Sequence, residues 1–277
     1  MSQLDPLMLA SVRFLCAGTI IFIIAKSLGY QLRITRKQLF NSILVGFLFL
    51  TYGNGVFVWA LKYVDTGFAA LLAALQPLFI LLLMRLVQRK ALQLKSIIGV
   101  LLGLLGMYIL VSQNEITAKE GTWTGVGMIL SCILSWSVGS LFVAKADVPK
   151  NFFVSTAYQM IAASIMLAIG SLAFGEQWVS PLQWSSSTII ALTCLIFFGG
   201  IAAFTSFNFL LKNISTEKVA TSSYVNPIIA LFLGWFFLDE AITTQSIIAA
   251  VVMITGVYFI NSRKRDKTDV KPAPKSR

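Results

Sequence analysis

Long apolar runs separated by short polar stretches set the pattern of this chain. The runs cover 7–28, 40–61, 67–87, 95–112, 122–144, 152–175, 187–211, 218–238 and 245–262. A helix needs roughly 20 apolar residues to cross about 30 Å of hydrocarbon, so each run predicts one membrane-spanning helix. The intervening segments are too short to fold independently. The pattern therefore predicts an all-α integral membrane protein, a polytopic helical bundle with nine helices present. A polar segment, 263–277, follows the last run, and its Lys-Pro-Ala-Pro-Lys ending reads as a disordered basic tail.

Composition agrees with the pattern. Residues of the set AVILMFWYC make up 57% and charged residues 12%, whereas a soluble domain has about 25% charged residues. So few charges cannot solvate a surface, and the apolar excess must face lipid. The net charge of +11 does not point to nucleic acid, because the cations sit in short loops and in the tail. With spans alternating sides, 19 Lys and Arg collect on one side, against Lys62 and Lys119 on the other, and Arg13 stays within a span. Lys and Arg are retained in the cytoplasm, so the C-terminus is expected there and the N-terminus outside, in a multi-pass inner or plasma membrane protein. Cys16, Cys132 and Cys194 each lie in an apolar run without CxxC spacing and read as small core residues. With no histidine, the commonest proton shuttle and metal ligand is missing. No metal and no cofactor is expected. Nothing ahead of the first run reads as a removable signal peptide.

The chain repeats itself. An offset of 150 residues places Leu61-Lys62 on Leu211-Lys212, Gln76-Pro77 on Asn226-Pro227, Gly106 on Gly256, Tyr108 on Tyr258 and Ser112 on Ser262. An offset of 146 places the segment Arg13 to Gly18 on Gln159 to Ser164. The second copy, 122–262, holds five runs, and five is odd, so the copies are expected to lie in opposite orientations. Such inverted repeats are a common construction of secondary transporters. The first copy, 1–112, holds four runs, giving nine helices of an expected ten. Either the chain is truncated at its start or this member dispenses with that helix; truncation is the preferred reading, because a pseudo-symmetric bundle short of one helix exposes a groove to lipid.

These features resemble the drug/metabolite transporter superfamily, specifically its EamA-type transporters with two five-helix repeats. The resemblance rests on Ala10-Ser11-Val12-Arg13-Phe14, on Ser135-Trp136-Ser137, on the paired spans with Pro77 and Pro227, on Asp239-Glu240-Ala241, and on Gly256-Val257-Tyr258. It covers about residues 1–262. In two respects the chain departs from the family: the first helix, with its Trp-Gly-Ser-like stretch, is missing, and Lys90 occupies the position matching Glu240.

Several polar or aromatic residues stand inside the spans. Pro77 cannot donate to the Ala73 carbonyl, nor Pro227 to that of Ser223, and in hydrocarbon a freed carbonyl must be satisfied by protein or a water-filled cavity. Gln76 and Asn226 place an amide beside each proline. The pair reads either as kinked helices lining a central cavity or as packing kinks capped by local amides. Arg13, roughly 10 Å into its span, either snorkels outward or faces a cavity and holds an anionic group. Asn54, Tyr158, Gln159, Asn208 and Tyr224 serve interhelical hydrogen bonding or, converging, a substrate. Trp59 and Trp136 read as cavity walls or interfacial anchors. Gly99 and Gly103 read as a close-packing GxxxG pair, and Asp239-Glu240 as a solvated turn or a gate. No Asp or Glu lies deep in a span, so proton coupling would fall to Asp65, Glu217 or Glu240 near span ends.

These residues predict a secondary transporter exporting small metabolites, amino acids or drug-like solutes, by alternating access, and not an enzyme. No nucleotide-binding glycine loop is present. Two alternatives stay open: a transporter of phosphorylated metabolites or nucleotide sugars, which would need Arg13, Lys62 and Lys212 to converge, and a non-transporting membrane scaffold subunit. The expected partners are a small-molecule substrate and the lipid bilayer, with no nucleic acid; self-association as a homodimer stays open.

Overall fold

The structure is a computed structural model and describes residues 4–89, 91–113, 121–238 and 241–262. The expected tail, Lys90, Lys119 and Asp239-Glu240 lie outside the described residues. Among those described, nine helices are long and apolar enough to cross a membrane: α1 (Pro6–Ser27), α2 (Arg36–Ala60), α3 (Thr66–Gln88), α4 (Leu94–Val111), α5 (Thr122–Lys145), α6 (Phe152–Ala173), α7 (Ser186–Asn213), α8 (Thr216–Phe237) and α9 (Thr244–Asn261). Each overlaps one apolar run. The polar starts were harder to place from hydropathy. α2 begins four residues ahead of its run because Thr35 and Gln38 form a capping box, with Gln38 N donating to Thr35 Oγ1 at 3.2 Å and Thr35 N to Gln38 Oε1 at 3.1 Å. Asn151 caps α6 and Ser185 caps α7 without a box, each side chain accepting from backbone N–H groups of the first turn.

Two helices share an irregularity at matching positions. α2 turns π-helical over Phe47–Asn54, and α7 over Leu195–Phe204. The 150-residue offset carries the first stretch onto 197–204, so the duplicated sequence preserves a local backbone anomaly. Such π-bulges recur at functional sites.

The helices assemble into two compact units that cut across the sequence repeat. One comprises Met1–Leu72 and Thr117–Asn213, and so contains α1, α2, α5, α6 and α7. Here α1 runs along α6. A Cβ on Gly18 would stand 3.0 Å from side-chain atoms of Met160 and Ile161, and the Ser11 hydroxyl donates to the Ser164 carbonyl at 2.9 Å. α2 lies equally close to α6, since a Cβ on Gly46 would reach 2.4 Å from the Gln159 carbonyl oxygen.

The other unit comprises Ala73–Ile116 and Ile214–Arg277, with most of α3 and all of α4, α8 and α9. Its centre is α4 against α9. A Cβ on Gly99 would lie 2.6 Å from the Gly256 carbonyl oxygen, and one on Gly106 2.9 Å from that of Ala249. The offset of 150 maps Gly99 onto Ala249 and Gly106 onto Gly256, so the two contacts are one contact made twice. Reciprocity of that kind defines an isologous interface about a two-fold axis. Gly99 therefore serves close helix packing as expected, whereas Gly103 makes room for an aromatic ring: its Cβ would stand 2.4 Å from Tyr224.

Cys132 is buried, Cys16 is partly so, and Cys194 is exposed on α7. Cys194 therefore departs from the expected core position, lying on a face of α7 that also exposes Phe197 and Phe198.

Candidate functional site

Within the first unit the candidate residues fall at three depths. Nearest the start of α1 is Arg13, whose Nε is buried and makes no hydrogen bond. The guanidinium carbon stands 4.3 Å from the centroid of its neighbour Phe14. Asn54 ends the π-helical stretch of α2, six residues before the end of that helix. By a 1.5 Å rise per residue it lies at about the depth of Arg13. Its Oδ1 and the nearby Thr51 Oγ1 are also buried without a hydrogen-bond partner. Trp59 stands at the end of α2, in edge contact with Phe174 at 4.9 Å, with Lys62 Nζ 4.5 Å over its ring. It stands one residue from the end of its span rather than deep within it.

Trp136 occupies the middle of α5. Its indole packs on Phe49 at 4.7 Å and Phe207 at 5.4 Å, and Phe204 completes the cluster through Phe49 at 5.8 Å. Gly53 makes this possible, since a Cβ there would stand 2.4 Å from Trp136 Nε1. Ser135, beside it, donates to the Leu48 carbonyl at 2.7 Å, inside the π-helical stretch.

Toward the far end, Asn208 and Gln159 join α7 to α6. Asn208 Nδ2 donates to Gln159 Oε1 at 3.0 Å and to Thr156 Oγ1 at 3.3 Å, while Gln159 Nε2 donates to Ser155 Oγ at 3.0 Å. All four residues are buried. Beside them a cavity of about 340 Å³ opens between Phe152, Phe153 and α7 residues Ile201 to Phe209. Thr205 Oγ1, on its wall, is buried without a hydrogen-bond partner. Tyr158 serves structure, its hydroxyl donating to the Leu32 carbonyl at 3.1 Å and so holding the α1–α2 loop.

In the second unit the structure brings Gln76 to Ser223, whose hydroxyl donates to Gln76 Oε1 at 2.8 Å. The two proline segments thus meet, but they are built differently. α3 breaks at Ala74-Leu75, and Pro77 is buried in the first turn of the segment Gln76–Gln88. A proline is tolerated there because the first N–H groups of a helix have no internal partner. In α8 the interruption falls at Thr221, and Pro227 lies inside the uninterrupted segment Ser222–Leu238, a correction to the expected pair of equivalent kinks. Asn226 is exposed. Tyr224 is fully buried, its hydroxyl 3.4 Å from the Val100 carbonyl, which makes it a packing residue between α8 and α4.

Hydropathy gave no sign of Glu176. Its carboxylate accepts from the Leu7 and Met8 amides at 3.0 and 2.8 Å and from the Ser171 hydroxyl at 2.7 Å. Those amides are the free donors at the start of α1, and a carboxylate there also meets the positive end of the helix dipole. Asp5 reciprocates by accepting from Gln177 N at 2.9 Å. The cations do not converge. Lys212 Nζ donates to the Ala146 carbonyl at the end of α5, at 2.8 Å. Lys62 lies beside Tyr63, whose carbonyl accepts from Thr122 at the start of α5. The two are a full helix length apart. Among the described residues no cluster of His, Cys, Asp and Glu could hold a metal ion.

Comparison with known proteins agrees with this architecture. The sequence is 33% identical over 260 residues to an uncharacterized inner membrane transporter, YedA, of Escherichia coli strain K12, covering 94% of this chain and 82% of that protein. It is 25% identical over 267 residues to a probable amino-acid metabolite efflux pump of Salmonella typhimurium, covering 93% and 86%. A solved crystal structure, 22% identical, superposes with a TM-score of 0.79 over 93% of this chain and 87% of the other, and so shows the same fold. Residues 1–112 and 123–262 each match the EamA-like transporter family, and this multi-pass membrane protein belongs to that family.

Proposed function

We propose that this membrane transporter is a secondary transporter that exports small metabolites, of the amino-acid or drug-like class, by alternating access. The observation that carries the reading is the run of unpartnered polar atoms inside the first unit. Arg13 Nε, Thr51 Oγ1, Asn54 Oδ1, Ser137 Oγ, Thr205 Oγ1 and Asn208 Oδ1 are all buried in membrane-spanning helices without a hydrogen bond. Native proteins satisfy nearly all buried polar groups, and in hydrocarbon an unsatisfied group costs several kcal/mol. Such a series suits an interior that takes up water and solute. The broken spans supply the movement. α3 is interrupted at Ala74-Leu75, and the chain passes from one compact unit to the other at Leu72–Ala73, beside that break. The charge bias supports a cytoplasmic C-terminus.

The test is solute flux in liposomes reconstituted with the full chain. Wild type is expected to move solutes of this class down a gradient. Pro77→Ala with Pro227→Ala, which returns a backbone N–H donor to α3 just after its break and to the interior of α8, is expected to slow flux by about ten-fold, for a barrier change of about 1.4 kcal/mol. Full flux in a folded double variant would remove the hinge from the mechanism, and no flux by wild type across a broad panel would support a scaffold role. Separation of Lys62 from Lys212 gives no support to the phosphorylated-metabolite alternative.

A further inference from the structure

We infer that Arg13 is the anchor for a carboxylate carried by the transported solute, an inference that rests on the transport reading above. The argument begins with the repeat. The 146-residue offset places Arg13 of α1 on Gln159 of α6, and the 150-residue offset places Val58 of α2 on Asn208 of α7. In the second copy the amide at that position has both its oxygen and its nitrogen bonded by protein. Gln159 bonds Asn208 and Ser155, and Asn208 also bonds Thr156. Carried back to the first copy, those three partners are Val58, Leu9 and Ala10. All are apolar. The first copy therefore has a cation where the second has an amide, and it has lost every group that would bond it.

No carboxylate from a spanning helix of the first unit compensates the charge. The helices of this unit contain no Asp or Glu, and the guanidinium Nε is buried without a hydrogen bond. An unpaired cation among apolar groups is costly, and breaking a buried pair is worse than never having made one. Arg13 instead stays partly accessible, with its guanidinium against the Phe14 ring at 4.3 Å. A guanidinium presents planar, paired donors that match a carboxylate. Asn54 Oδ1 and Thr51 Oγ1, buried and unpartnered at a similar depth on α2, are acceptors of the kind an ammonium or amide group on the same solute would use. The chemistry that fits is a small solute with a carboxylate, most simply a zwitterionic one.

The experiment uses the full chain purified in detergent and, separately, in liposomes. Binding is read from the dependence of thermal stability on ligand concentration, with free amino acids and monocarboxylates compared with their primary amides, which lack the carboxylate charge. Wild type is expected to be stabilised by acids and not by amides. Arg13→Gln should raise the half-saturating concentration of the acids by about ten-fold or more, since a hydrogen-bonded charge is lost, and Arg13→Lys should fall between. The unliganded Arg13→Gln protein should melt at or above the wild-type temperature, because the guanidinium Nε makes no hydrogen bond among the described residues; a clear fall would mark a structural residue and overturn the inference. Acids that bind Arg13→Gln within about two-fold of wild type would overturn it too, as would equal binding of acids and amides. Arg13-dependent binding without flux would overturn the transport reading alone, flux indifferent to Arg13 the present inference alone, and neither binding nor flux both.

Discussion

Gln159 and Asn208 show what a polar pair costs and contributes at depth. Each is fully buried, and each uses the other before it uses anything else. Interhelical hydrogen bonds in membranes are worth about 1 kcal/mol, so Asn208→Leu should lower stability by about that amount. Gln159→Leu combined with it should cost less than the two separately, because the second change removes a group the first left unpaired. Unfolding in mixed detergent micelles reads both. These residues could be picked out of the sequence because a polar side chain in an apolar run is conspicuous. Their pairing could not, since it depends on the rotation of α6 and α7 about their axes. Glu176 was invisible for the opposite reason: a glutamate in a polar loop looks ordinary until it is seen against the amides of Leu7 and Met8.

Helices were legible as elements because lipid imposes one length and one composition on all of them. Their interruptions were less so. Prolines marked both broken spans, yet in α8 the break sits at Thr221, away from Pro227. The π-helical stretches in α2 and α7 carried no proline signal; the one in α2 lies where α5 and α6 pack closely on it, at Gly46, Gly53 and Leu48. Packing at glycine decides the α4–α9 pair. A leucine at Gly99 or Gly106 meets backbone, at 2.6 Å from Gly256 O or 2.9 Å from Ala249 O, and no rotamer relieves it. Each is expected to cost about 1–3 kcal/mol. Gly127→Ala on α5, where nothing lies within 4 Å of the added carbon, should leave stability unchanged or slightly raised. Thermal melts of the three variants separate the cases.

Across the whole molecule, the duplication readable in the sequence and the compact units of the fold divide the chain differently. α1 pairs with α6 inside one unit, and α4 with α9 inside the other, so each helix of these pairs packs against its own counterpart from the other half. Sequence offsets reveal the counterparts; only coordinates reveal that counterparts touch. Because of that arrangement, neither half of the gene product can finish a core alone. Expressed separately, the stretches 1–112 and 123–262 should be unstable, each leaving a glycine-lined helix face with nothing against it. Produced together from two genes, they should find one another and restore the α1–α6 and α4–α9 pairs. Co-purification of differently tagged halves, at yields neither gives by itself, is the outcome that arrangement requires.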